Sequence, residues 1–281
     1  MIIDTHTHFY DPTRPAGVPW PRSDDPFLYR RIMPDDYKKV AIPEGVTGTI
    51  VVEASAWLED NQWILDMADE DPFIIGLVGH LEPAWPEFEV ALDRFGAHPC
   101  FYGIRLGRAP IDNIDYEKAL AQLMGLNLEL DLLVGAEWLD NAAVWAERYP
   151  DLRIVLNHVA HVPITGGQPD TEWLAGIHKT AAFSNVFCKV SGLVESAQDD
   201  PAPDDPAYYA PTLDALWNAF GEERLVYGGN WPVSWRYAEY AQVQKLATTY
   251  FEQKGVEVLE KVMWKNSQTA YGWGGGGERK W

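Results

Sequence analysis

Short runs of β-branched and aliphatic residues alternate with longer stretches of helical spacing along the whole chain, and no break in composition interrupts them. A chain written this way builds strand–helix units around a parallel sheet, because parallel neighbours need a crossover and a helix usually supplies it. Strands are expected over residues 1–5, 48–52, 74–79, 102–106, 128–134, 153–157, 186–190 and 225–228. Helices are expected over 61–70, 86–95, 116–124, 143–149, 171–180, 212–220 and 237–253, where apolar residues recur at three and four. Asp60 and Asp170 stand directly before two of these as candidate N-caps, since a carboxylate oxygen can accept from the first free N–H groups of a helix.

About eight such units in 281 residues suit either a closed barrel or an open doubly wound sheet. An open nucleotide-binding sheet should carry a glycine-rich turn after its first strand, whereas this strand runs into Thr5-His6-Thr7-His8. The expected fold is therefore α/β, a single (β/α)8 TIM barrel over residues 1–273, with a flexible glycine-rich tail over 274–281. In such a barrel the polar groups at the C-terminal strand ends converge on one pocket whatever their separation in sequence.

Charge narrows the partners. Forty-two Asp and Glu against 22 Lys and Arg give a net charge of −20, which opposes phosphate backbones and anionic membranes. Thirteen Trp, 13 Tyr and 10 Phe are too many for a disordered acidic chain. The first residues read as a polar strand end rather than a secretory leader, and no apolar run approaches the ~18–20 residues of a membrane helix. A cytoplasmic protein acting on a small molecule is expected, with its oligomeric state open. Cys100 and Cys188 do not make a disulfide framework, although one bridge remains compatible with them.

His6 and His8 alternate on one strand and so project to the same side, where two neutral imidazoles could hold Zn²⁺ or hydrogen-bond an oxygen. His158, after the sixth strand, falls where a third inward ligand would lie, the alternative being a core histidine bonded to a carbonyl. His161 reads as a loop contact to substrate. Arg105 and Lys189 are cations inside apolar strands, so each needs a partner: a structural ion pair with Glu53 or Asp131, or an anionic or hydroxyl-rich substrate. Asn230, in Gly228-Gly229-Asn230-Trp231-Pro232, should face the opening, with the two glycines letting backbone approach a ligand. The acidic, proline-rich stretch 199–206 reads as a solvated loop, with a lid as the alternative.

Ile3-Asp4-Thr5-His6-Thr7-His8, Val52-Glu53-Ala54, Gly103-Ile104-Arg105, Leu156-Asn157-His158, Cys188-Lys189-Val190-Ser191-Gly192 and Gly228-Gly229-Asn230-Trp231-Pro232 together resemble the amidohydrolase-related TIM-barrel hydrolases. The likeness is greatest to the lactonase branch that contains 2-pyrone-4,6-dicarboxylate lactonase, L-fuconolactonase and L-rhamnonolactonase. The resemblance implies opening of a sugar-acid or cyclic dicarboxylate lactone by water. His6, His8 and His158 would polarise the carbonyl or ligate a metal, and Arg105, Lys189 and Ser191 would contact substrate. Glu53 and His161 would lie close by, and Tyr10 and Trp231 would pack the ring. Where the family carries Asp as general base this chain has Asn230, whose amide can orient a water but cannot deprotonate it. His158 or a metal-bound hydroxide is then the first choice of base, with His161 and Glu53 behind them. The ligand count suits one divalent metal, zinc first, and equally suits metal-independent catalysis. A mononuclear-metal decarboxylase and a sugar-acid-binding barrel without turnover are the alternatives.

Overall fold

Parallel strands covered on both faces read as near-continuous apolar runs, and in the computed structural model, which describes residues 1–274, these runs are the staves of a barrel. They are β1 (Ile3–Thr7), β2 (Gly48–Val52), β3 (Ile74–Gly79), β4 (Phe101–Leu106), β5 (Glu129–Leu132), β6 (Ile154–Leu156), β7 (Val186–Val190) and β8 (Leu225–Tyr227). All eight lie parallel and in sequence order. The seam between β8 and β1 is closed by the Thr7–Trp231 bridge and by His8 N–H donating to Trp231 O at 2.9 Å. Thr5 Oγ1 adds a bond of 2.6 Å to Tyr227 O.

Around the strands run α1 (Pro34–Ala41), α2 (Leu58–Glu70), α3 (Phe88–Gly96), α4 (Ile114–Gly125), α5 (Leu139–Arg148) and α6 (Thr171–Ala181). They continue as α7 (Leu193–Ser196), α8 (Pro206–Phe220), α9 (Tyr240–Glu252), α10 (Val256–Glu260) and α11 (Asn266–Tyr271). Alternation along the strands divides the core. Val51, Leu130, Leu132 and Cys188 face the helices, while Ile50, Val52, Val155, Phe187 and Val226 fill the barrel, whose lower end is plugged by Tyr271 and Trp273.

Asp170 caps α6, accepting from Trp173 N–H at 2.8 Å. Asp60 does not cap α2: the helix begins at Leu58, and the carboxylate, already inside it, takes Arg14 at 2.8 Å. Helix α8 starts at Pro206, ahead of the expected 212, because Asp205 caps it and proline suits the first helical position. The acidic stretch before it is the exposed run-in to this cap. Cys100 and Cys188 are both buried and not joined in a disulfide. Among the described residues no helix is long and apolar enough to cross a membrane. Apart from Gly274, the expected tail lies outside the described residues.

Candidate active site

A cavity of about 600 Å³ opens at the C-terminal ends of the strands. The first strand contributes His8, whose Nδ1–H donates to Val52 O at 2.9 Å, leaving the Nε2 lone pair free. Burial, with the Arg105 charge second, lowers its pKa to about 3, so the ring is neutral at working pH.

His6 lies within 4.9 Å of the His8 ring and 4.2 Å of the His158 ring, centroid to centroid, yet it is fully buried and forms no part of the cavity wall. Lys189 Nζ donates to its Nδ1 at 3.2 Å, so the neutral ring carries its proton on Nε2, a buried atom without a partner. Lys189 is itself sealed inside, paired with Asp131 at 2.8 Å. Of the two readings of this lysine the ion pair is the correct one, and it does not reach the barrel mouth.

The sixth strand stops at Leu156, and the chain then turns left-handed: His158, Val159, Ala160 and His161 have φ of 51°, 47°, 51° and 49°. Such a run of non-glycine residues is strained and persists only when its surroundings fix it. It sets His158 and His161 side by side on the wall, with ring centroids 5.4 Å apart. His158 Nδ1 shares a hydrogen bond of 2.9 Å with Ser191 Oγ. Ser191 is thus a support for His158; it is buried and off the cavity wall. Gly192 has φ +67°, and a Cβ there would stand 2.7 Å from His158 Cβ, so glycine is required where the two turns touch. Burial pulls the His158 pKa well down and that of His161 down as well.

Arg105 reaches the wall from β4 already paired. Its Nε and Nη2 donate to Glu53 Oε1 at 2.9 and 2.8 Å, and Nη2 donates to Glu53 O at 2.8 Å. The ion-pair reading of the sequence therefore holds, and the Nη1 hydrogens are left over for a ligand.

Asn230, in the left-handed region at φ 52°, also stands on the wall. Its Nδ2 donates to Glu195 Oε1 at 2.7 Å. Glu195, on α7 beneath the mouth, was not singled out from sequence, nor was Trp20, which sets its ring 5.7 Å from that of His8. The available signal for Glu195 was its position four residues after Ser191, in the loop that follows a barrel strand. Burial raises its pKa to about 7.

Three expectations are corrected. Tyr10 is buried and donates to Leu28 O at 3.0 Å, and Trp231 packs among Tyr37 and Trp235, so neither ring lines the cavity. The glycines before Asn230 admit buried side chains instead of a ligand: a Cβ at Gly228 would stand 2.9 Å from His6 Cβ, and one at Gly229 2.4 Å from Asp4 Oδ2.

With this geometry goes a family match that runs from residue 3 to residue 273, to the model described as amidohydrolase. The chain belongs to the amidohydrolase family. An L-fucono-1,5-lactonase of Burkholderia ambifaria is 32% identical over 238 residues, spanning 83% of this chain and 80% of that protein. A second L-fucono-1,5-lactonase, from Burkholderia multivorans, is 26% identical over 276 residues, spanning 94% and 93%. The crystal structure of a Burkholderia multivorans amidohydrolase with bound zinc superposes with a TM-score of 0.86 at 25% identity, covering 97% of this chain and 99% of that one.

Divalent metals are typical of this family, and zinc is the metal of that relative. The ligand set implied by resemblance, His6, His8 and His158, needs a lone pair from each ring. His8 has one at Nε2, but His6 presents a proton, because Lys189 occupies its other nitrogen. Among the described residues no group of three or more His, Cys, Asp and Glu side chains is arranged to hold a metal ion. The donors of this chain, as arranged, do not fit the implied centre.

Proposed function

We propose that this amidohydrolase opens an uncharged sugar-acid lactone, with water attacking the ring carbonyl. The observation that carries this reading is the cavity's charge balance: its one arginine is already matched by Glu53, and its imidazoles are neutral. Such a wall suits many hydroxyl groups and gives a dicarboxylate no counter-charge. The L-fucono-1,5-lactonases among its relatives act on a ligand of this kind.

In this reading Arg105 Nη1 donates to the carbonyl oxygen and to the oxyanion that replaces it, held in place by the Glu53 bonds. His8, His158 and His161 exchange hydrogen bonds with sugar hydroxyls, and Trp20 covers the ring. Two buried cysteines outside any disulfide fit a reducing compartment, and we place the protein in the cytoplasm.

The test is acid release, followed by pH-stat, from aldonolactones and from pyrone dicarboxylates. Aldonolactones should be opened and the dicarboxylates should not. Arg105→Gln should lower kcat/KM by about 10²- to 10³-fold. Acid release from the dicarboxylate alone would sink the charge argument, and carbon dioxide in place of acid would favour a decarboxylase.

A further inference from the structure

Hydrolysis needs a group that accepts a proton from water, and most of the polar side chains of the cavity are unsuited to it. His8 and His158 are pulled down so far by burial that they bind a proton poorly. Glu53 is ion-paired with Arg105, and taking a proton would leave that guanidinium unmatched. Asn230 is an amide and has no useful basicity. Glu195 differs from all of these. Among the described residues its one side-chain partner is Asn230, at Oε1, while its Oε2 is covered and bonded to nothing. Asn230 Oδ1 is also covered, with the His8 ring as its neighbour. The pair thus leaves Glu195 Oε2, on a residue of the cavity wall, as an anionic acceptor that no side chain uses.

We propose that Glu195, held by Asn230, is the general base that takes the proton from the hydrolytic water. The assignment rests on the lactone-opening reading. Water donates a hydrogen to the Glu195 carboxylate, which Asn230 holds in place. As the water oxygen bonds to the carbonyl carbon, its O–H bond breaks and the proton passes to the Glu195 carboxylate, while the carbonyl electron pair moves onto oxygen. Collapse re-forms the carbonyl and breaks the bond to the ring oxygen, which leaves with the proton returned by Glu195. The product is the open hydroxy acid, and Glu195 is again ionised.

The local electrostatics match that duty. A base works best with a pKa near the operating pH, and burial has pushed Glu195 up to about 7. The groups beside it are Asn230 after β8 and Tyr209 of α8, with His8, His158, His161, Arg105 and Glu53 lining the same cavity. None forms an ion pair with it, so its protonation follows burial more than a partner.

The experiment compares wild type, Glu195→Gln and Glu195→Asp on an aldonolactone, with kcat and KM measured across pH and folding checked by circular dichroism. Wild-type kcat should rise with pH through an acid limb near neutrality, where the carboxylate forms. Glu195→Gln should lose about 10²- to 10⁴-fold in kcat with little change in KM, and should lose the limb. Glu195→Asp should recover part of the rate and keep a limb, a rescue that a purely structural role would not give. Should Glu195→Gln fail to fold, Glu195→Asp and formate rescue of Glu195→Ala decide the matter. A folded Glu195→Gln with kcat within threefold of wild type, or a limb that survives in it, overturns the base. Absence of formate rescue together with an Asp variant that lacks a limb does so as well. A wild type silent on every lactone overturns the function and the base together.

Discussion

Lys189 has no exposure at all, and its ammonium is matched by the equally buried Asp131. Breaking one side of such a pair leaves a charge in low dielectric, which costs more than the pair itself contributes. Lys189→Met should therefore lower unfolding free energy by about 3–5 kcal/mol in urea titrations. Lys189→Met with Asp131→Leu should recover most of that loss. A single variant within about 1 kcal/mol of wild type would show that the pair carries little charge. This residue illustrates what could be read from letters alone. That a lysine inside Val186–Val190 must be paired follows from desolvation; that its partner is Asp131, and that it also fixes the proton on His6, depends on which strand ends are neighbours. Glu195 gave only a faint signal, its place after β7. A glutamate beside a barrel-top loop is ordinary until the fold covers one of its oxygens without giving it a partner.

Strands were legible where β-branched and aliphatic residues run together: β2, β3 and β7 have the bounds that their runs predict. Helix starts were less so, because Trp57 opens α2 without a side-chain cap and leaves Asp60 looking like one. The turn at His158–His161 had no signal at all, since nothing in His-Val-Ala-His announces positive φ, and Gly192 leaves just the room that the His158 side chain takes up. Gly192→Ala should test that dependence. The new methyl must displace the His158 backbone or side chain, and an L-residue in the left-handed region costs about 1–2 kcal/mol even without a clash. Thermal denaturation should register a loss of at least that size, and lactone opening should fall with it as His158 moves off the wall. Unchanged stability would mean that the turn holds itself.

At the scale of the whole molecule, the barrel interior mixes hydrocarbon with charge, and stability must respond to pH accordingly. Below the cavity, Glu129 and Asp131 on one face of β5 lie with Lys189 of β7 and Tyr271 of α11, all sealed from solvent. Burial, with the Asp131 charge second, holds the Glu129 pKa well above its ordinary 4.5. Below about pH 4 folded and unfolded chains both carry that proton, so it favours neither. As pH rises past the ordinary value the unfolded chain releases it and the folded chain does not. Each further unit then costs the fold up to about 1.4 kcal/mol, until Glu129 ionises in place. The same fall should be absent from Glu129→Gln, whose side chain has no proton to lose. Urea unfolding of both proteins from pH 4 to pH 8 should show the variant gaining on wild type as pH increases. Parallel curves would mean that Glu129 is ionised in the fold, and the interior would then hold two carboxylates against a single lysine.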